Sequence, residues 1–123
     1  MVFLADNVMD SGLSYLTSVG NRIDICSQEP TTYAEATSTF TLGNKTSATV
    51  GSPTNGDSSG RKVVITAITD GSVTGTDTAT HWALVSSTGS ELLATQSLSS
   101  SQAVTSGNTF TLPAIDITIP DPS

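Results

Sequence analysis

The chain has 123 residues, enough for one domain with a real core (1–123) and too few for two. It carries a formal charge of -7 with four basic residues, Arg22, Lys45, Arg61 and Lys62. That balance leaves no cationic footprint for nucleic acid and disfavours anionic membranes. Hydrophobic residues are 36% and charged residues 12% of the chain, with Ser and Thr at about a third. Disordered chains combine low hydrophobicity with high charge, so grouped apolar runs with little charge point instead to a folded, β-rich protein. No apolar run approaches the roughly 20 residues of a membrane helix. The N-terminus has no basic segment ahead of its apolar residues, so no secretory signal is expected and a reducing cytoplasm is the expected site of synthesis. The single cysteine, Cys26, excludes an internal disulfide framework and a cysteine-based zinc site within one chain.

One helix is predicted, over residues 4–19. Val8 or Met9, then Leu13, Leu16 and Val19 or Gly20 follow the spacing of a single apolar stripe. Asp6 or Asn7 is the expected cap, and Gly20-Asn21 the expected left-handed stop. Gly12 weakens the helix by about 1 kcal/mol relative to alanine, so it depends on docking. Packing on the chain's own sheets is favoured over docking on a partner.

Strands follow over residues 22–120. Arg22–Ser27 places Ile23 and Ile25 inward and Asp24 outward. Thr31–Ala36 offers at most a helical turn, and Thr37–Leu42 alternates as a strand with Phe40 and Leu42 on one face. Gly51–Gly60 is a turn-rich loop with Asn55-Gly56 as its sharpest point. Arg61–Ile68 is apolar on both parities in its middle, as in a strand covered on both sides or touching a neighbouring subunit. Asp70-Gly71 is read as a turn, and Ser72–Ser86 as a strand with Trp82 and Leu84 inward. Glu91–Ser97 is the next strand, and Ser99–Gly107 leads to the closing pair. In that pair Phe110 and Leu112 have one parity and Ile115, Ile117 and Ile119 the other, so a bulge or bend is expected at Pro113-Ala114. Short strands between polar turns indicate a mainly β fold, an antiparallel β-sandwich of jelly-roll-like type with one short N-terminal α-helix.

No residue pattern assigns a reaction. His81 is the sole histidine; serines are too numerous for a Ser-His-Asp match to inform, and no nucleophile elbow frames one. It is read as a strand histidine on the outer face or at an interface. Asp57, Asp70 and Asp77 lie in or near glycine turns without calcium-loop spacing, and are read as turn residues. Glu29, Glu35 and Glu91 are isolated. Trp82 is read as core ahead of a sugar-stacking platform, and Cys26 as a small buried hydrophobe. Asn44-Lys45-Thr46 matches a glycosylation acceptor only incidentally. No catalytic, cofactor or metal residue is nominated, and no cofactor is expected.

The order of segments resembles small virion structural proteins of tailed bacteriophages and prophages. The likeness is carried by Phe3–Asn7 opening the helix, Ile23–Pro30 as strand and proline loop, Gly71–Val85, Glu91–Thr95, and Val104–Leu112 before the closing Ile-x-Ile-x-Ile strand. It implies a non-enzymatic β-sandwich protein located in the virion, most favourably a capsid decoration or accessory protein that binds the head shell as a homo-oligomer. A trimer would suit three-fold positions of a shell. The implied partners are its own copies and other virion proteins such as the major capsid protein, with neither nucleic acid nor membrane. A tail, collar or fibre subunit is the alternative within the class, and a carbohydrate-binding or adhesin module the alternative outside it. The candidate interface residues are Val2, Phe3 and Leu4, with Val64 and Ile68 on the apparent outer parity of their strand.

Overall fold

A computed structural model describes residues 4–120. The candidate interface residues Val2 and Phe3 lie outside them. The helix α1 spans Asp6–Val19 and buries Met9 and Leu13, so Met9 rather than Val8 begins the stripe. Its cap is Ala5, with no side-chain hydrogen bond, and the expected caps Asp6 and Asn7 are already helical. Asp6 still sits in the first turn, where a negative charge favours the helix dipole. Gly20 is extended (φ -73, ψ 111), which corrects the expected left-handed stop, and its N–H donates to the Leu16 carbonyl. α1 docks on the chain's own strands. Leu13 enters the main core, Thr17 Oγ1 donates to the Gly51 carbonyl at 2.8 Å, and Arg61 binds Asp10 at 2.7 Å.

Nine strands follow: β1 Arg22–Cys26, β2 Thr41–Thr46, β3 Thr54–Asn55, β4 Arg61–Ile65, β5 Ile68–Val73, β6 Asp77–Ser86, β7 Glu91–Val104, β8 Thr109–Leu112 and β9 Ile115–Ile119. A six-stranded sheet has the order β7-β6-β1-β2-β5-β8, and a three-stranded sheet the order β3-β4-β9. Every pairing in both is antiparallel. The fold is mainly β, antiparallel and sandwich-like, with its main helix at the N-terminal end. The core between the layers gathers Leu13, Ile23, Ile25, Val63, Ile65, Trp82, Leu84 and Phe110.

The chain passes between the layers three times, at β2–β3, β4–β5 and β8–β9. The last two passages were legible as irregularities in the apolar pattern. Residues 113–114 separate β8 in the large sheet from β9 in the small one, so the parity slip is a change of sheet. Proline suits that point because it removes a ladder donor where the ladder ends. The predicted strand Arg61–Ile68 is likewise two strands. β4 belongs to the small sheet, β5 to the large, and Thr66-Ala67 crosses between them. Since β4 pairs β9 and β5 pairs β8, both segments turn the same corner side by side. This corrects Ile68: it begins β5 inside the core at 4% exposure, where no partner can reach it. Asp70-Gly71 is also not a turn, because both residues lie within β5, at an irregularity in its pairing with β8.

The second correction concerns β1. Ile23 and Ile25 face the main core, but Asp24 on the opposite face is fully buried. A cover explains it. Between β1 and β2 the chain leaves the sheet and folds over its outer face, with a π-helical segment Glu35–Thr39 that starts within the expected helical turn (Thr31–Ala36) and replaces the first residues of the expected strand (Thr37–Leu42). Tyr33, Ala36 and Phe40 pack there on Cys26, Ala83 and Val85. The cover is braced internally by Glu35, which accepts from both the backbone N–H and the hydroxyl of Thr31 at 2.8 Å. Those two bonds hold its carboxyl below the ordinary carboxylate range. Beneath the cover Asp24 accepts from Arg22 Nε (2.7 Å), Arg22 Nη2 (3.0 Å) and Thr41 Oγ1 (2.6 Å).

Cys26 lies under the same cover. Burial, and then the Asp24 charge, push its thiol up to about 12. Thiolate is the reactive form, so a disulfide reagent should leave Cys26 untouched in the folded chain near neutral pH and modify it fully in urea. Stoichiometric labelling of the native protein at the rate of a free thiol would show that the cover is open in solution.

Candidate functional site

The longest strand, β7, follows β6 with one large irregularity. Ala79 pairs Gln102 and His81 pairs Ser97, so Leu98, Ser99, Ser100 and Ser101 stand opposite Thr80 alone. The β7 backbone must bow away from β6 over this stretch, and bulges of this kind re-aim side chains and open space beside a sheet. A cleft of about 390 Å³ lies there, within the range of small-molecule pockets. One wall is Gln96–Ser100 with Gln102, and the other is the β8–β9 crossing, Leu112–Asp116. Trp82 and Leu112 are the deep residues of the lining, 4% and 3% exposed.

The cleft occupies the seam of the large sheet. β7 and β8 are its two edges, and at one point they meet: Gln102 Nε2 donates to the Thr111 carbonyl at 3.1 Å. Beside that strap the bowed β7 and the crossing chain diverge. Asp116 is the only charged side chain in the lining, and Lys62 Nζ lies 3.1 Å from it while also binding Asp57 at 2.7 Å. Those two carboxylates raise the affinity of the lysine for its proton, and the Lys62 ammonium lowers that of Asp57. The free groups of the cleft are therefore amides and hydroxyls, with Leu98, Pro113 and Ile115 as apolar surface. Such a lining can bind and orient a ligand through its amides, hydroxyls and apolar surface.

The residues weighed from sequence are dispersed. His81 lies on the opposite face of β6 from Trp82, half-buried, with Nδ1 2.9 Å from Thr80 Oγ1. Asp70 is paired with Lys45 at 3.0 Å, and Asp77 binds the backbone N–H of Thr78. Among the described residues no three of His, Cys, Asp and Glu converge. Glu91 accepts from the Tyr15 hydroxyl at 2.5 Å, which fastens α1 to the start of β7 and pushes the phenol above its ordinary value. No helix among the described residues is long and apolar enough to cross a membrane.

Of the candidate interface residues, Leu4 is half-buried, and Val64 is half-buried opposite Asp116 across β4 and β9. The structure does not bring them to one patch with Ile68. Among the described residues the large apolar side chains left exposed are instead Val8 (57%) and Tyr15 (50%), seven residues apart and so on one face of α1. The cleft itself was missed, because β7 was divided at its serines; the run Ser99-Ser100-Ser101, poor in side chains that pack, was the available signal. The chain matches no protein-family model, no curated protein and no solved structure.

Proposed function

We propose that the chain is a non-enzymatic structural subunit of a phage virion, most favourably a decoration or accessory protein that coats the head shell as an oligomer. The observation that carries this reading is the free edge of β7. It runs for 14 residues, pairs only with β6, and contains no Lys, Arg or Pro. Proteins that remain alone commonly protect such edges with charge, proline or a cover. An edge of this length, with Glu91 at its start as its one charge and the bow at Leu98–Ser101 as its one large interruption, is suited to lying against another subunit on either side of that bow. The exposed Val8 and Tyr15 face of α1 is joined to the start of β7 through Glu91 and extends the same surface.

Two measurements test the reading. Sedimentation equilibrium should find an oligomer that dissociates in the Ser101→Lys/Ala103→Lys double variant, both positions being exposed on β7 and outside the cleft lining. Quantitative proteomics of purified particles should find the protein at the copy number of the shell. A few copies per particle would favour the tail, collar or fibre alternative. A monomer at all concentrations, absent from every particle, would remove the proposal.

A further inference from the structure

We infer that the cleft between the bowed β7 and the β8–β9 crossing is a binding site for a neutral saccharide. This inference stands apart from the structural role proposed above and does not depend on it. Charge narrows the ligand first. The chain carries -7 overall, and the one charged side chain in the lining, Asp116, shares the Lys62 ammonium with Asp57. An anion finds no free cation there, and a cation finds a carboxylate whose charge is already shared. The hydroxyls of Ser97, Ser99 and Ser100 and the amide of Gln96 would be desolvated without return by a purely apolar ligand. Beside them lies apolar surface from Leu98 and Pro113.

A sugar ring carries the complementary pair of properties, equatorial hydroxyls at its rim and C–H groups on its faces. Because the stretch Leu98–Ser101 faces Thr80 alone, most of its backbone N–H and C=O groups lack a partner in β6 and are open to a ligand as well. The site differs from a stacking platform, since Trp82 forms the deep lining and offers no broad exposed face. Recognition would rest on the serines, Gln96 and the bowed backbone.

Trp82 is the sole tryptophan of the chain and stands between this cleft and the main core, so its emission reports ligand at the cleft while the fold stays intact. The full chain is titrated with neutral oligosaccharides of glucose and of N-acetylglucosamine, and separately with heparin and with a serine-rich peptide. A saturable emission change is expected with at least one neutral sugar, at a Kd of about 0.1–1 mM. It should persist in high salt, because no ion pair supports it. Gln96→Ala, at an exposed position, should weaken binding about 3- to 10-fold through loss of one amide's hydrogen bonds. Ser99→Lys, also exposed, should abolish it by filling the cleft, and thermal melting identifies either variant that has failed to fold. No saturable change with any neutral sugar overturns the inference. So does a response to heparin or the peptide alone, or binding that Gln96→Ala and Ser99→Lys both leave intact while folded.

Discussion

Replacing Arg22 by methionine should lower the unfolding free energy by about 3–5 kcal/mol, the usual cost of leaving a buried charge without its partner. Asp24 has no exposed surface, and Arg22 supplies two of the three side-chain donors it accepts from. Without the guanidinium, the Thr41 hydroxyl remains as its one side-chain donor. The reverse change should cost less. In Asp24→Asn the buried group is neutral, and the Arg22 side chain, 21% exposed, can turn to water. Urea unfolding of the two variants therefore should give unequal losses, with Arg22→Met the larger. Equal losses, or a loss under about 1 kcal/mol for Arg22→Met, would mean that water enters beneath the cover and that the pair behaves as a surface salt bridge. The same variant should also expose Cys26 to thiol reagents sooner, since Asp24 ties β1 to Thr41 where the cover returns to the sheet.

The buried pair also shows where sequence periodicity stops being informative. Alternation correctly separates Ile23 and Ile25 from Asp24, and Trp82 and Leu84 from His81, because strand side chains alternate whatever lies beyond them. It cannot say whether the second face meets water. That depends on Gln28–Phe40, whose polar sequence looks like strand and loop yet folds into a π-helical cover. The helix was legible from its stripe, since Met9 and Leu13 repeat at helical spacing and both are buried. Its ends were not. Capping there is done by backbone groups, the Ala5 carbonyl at the start and the Gly20 N–H on the Leu16 carbonyl at the end, where a side chain at position 20 would crowd Leu84 across the fold.

The candidate site was the least legible part, for a related reason. A bulge is a mismatch between two strands, and no single strand records it. Leu98–Ser101 shows in its own sequence only a run of serines, and what opens the stretch is that β6 places Thr80 alone against it. The sheet crossings at 66–67 and 113–114 differ. Each reverses which residues are apolar along one continuous segment, so one strand's own pattern registers the change. What the pattern could not decide was whether a reversal meant a bulge within a sheet or passage to the other sheet. The two antiparallel pairings, β4 with β9 in one sheet and β5 with β8 in the other, decide that, and they are properties of two segments together.

The glycine at that corner gives the second large expected effect. Gly71 reads as a turn residue beside Asp70, yet it is buried in β5 directly opposite Phe110 of β8. A Cβ at this position would run into the Phe110 ring at Cε1, Cζ and Cδ1. The ring lies over the glycine, covering backbone that would otherwise lack a side chain above it, an arrangement known to favour Gly–aromatic cross-strand pairs. Gly71→Ala should thus cost about 1–3 kcal/mol by overpacking, although alanine alone would favour folding by restricting the unfolded chain. Phe110→Ala should cost about 3–5 kcal/mol, because the ring is 2% exposed and fills the main core. The two effects must be coupled. Once Phe110 is leucine, there is room for a methyl at position 71, and Gly71→Ala should cost at least about 1 kcal/mol less than in the parent chain. A double-mutant cycle by denaturant unfolding measures this difference. If Gly71→Ala is neutral, or costs the same in both backgrounds, the glycine is not there for the ring and the corner is held by the β4–β9 pairing alone.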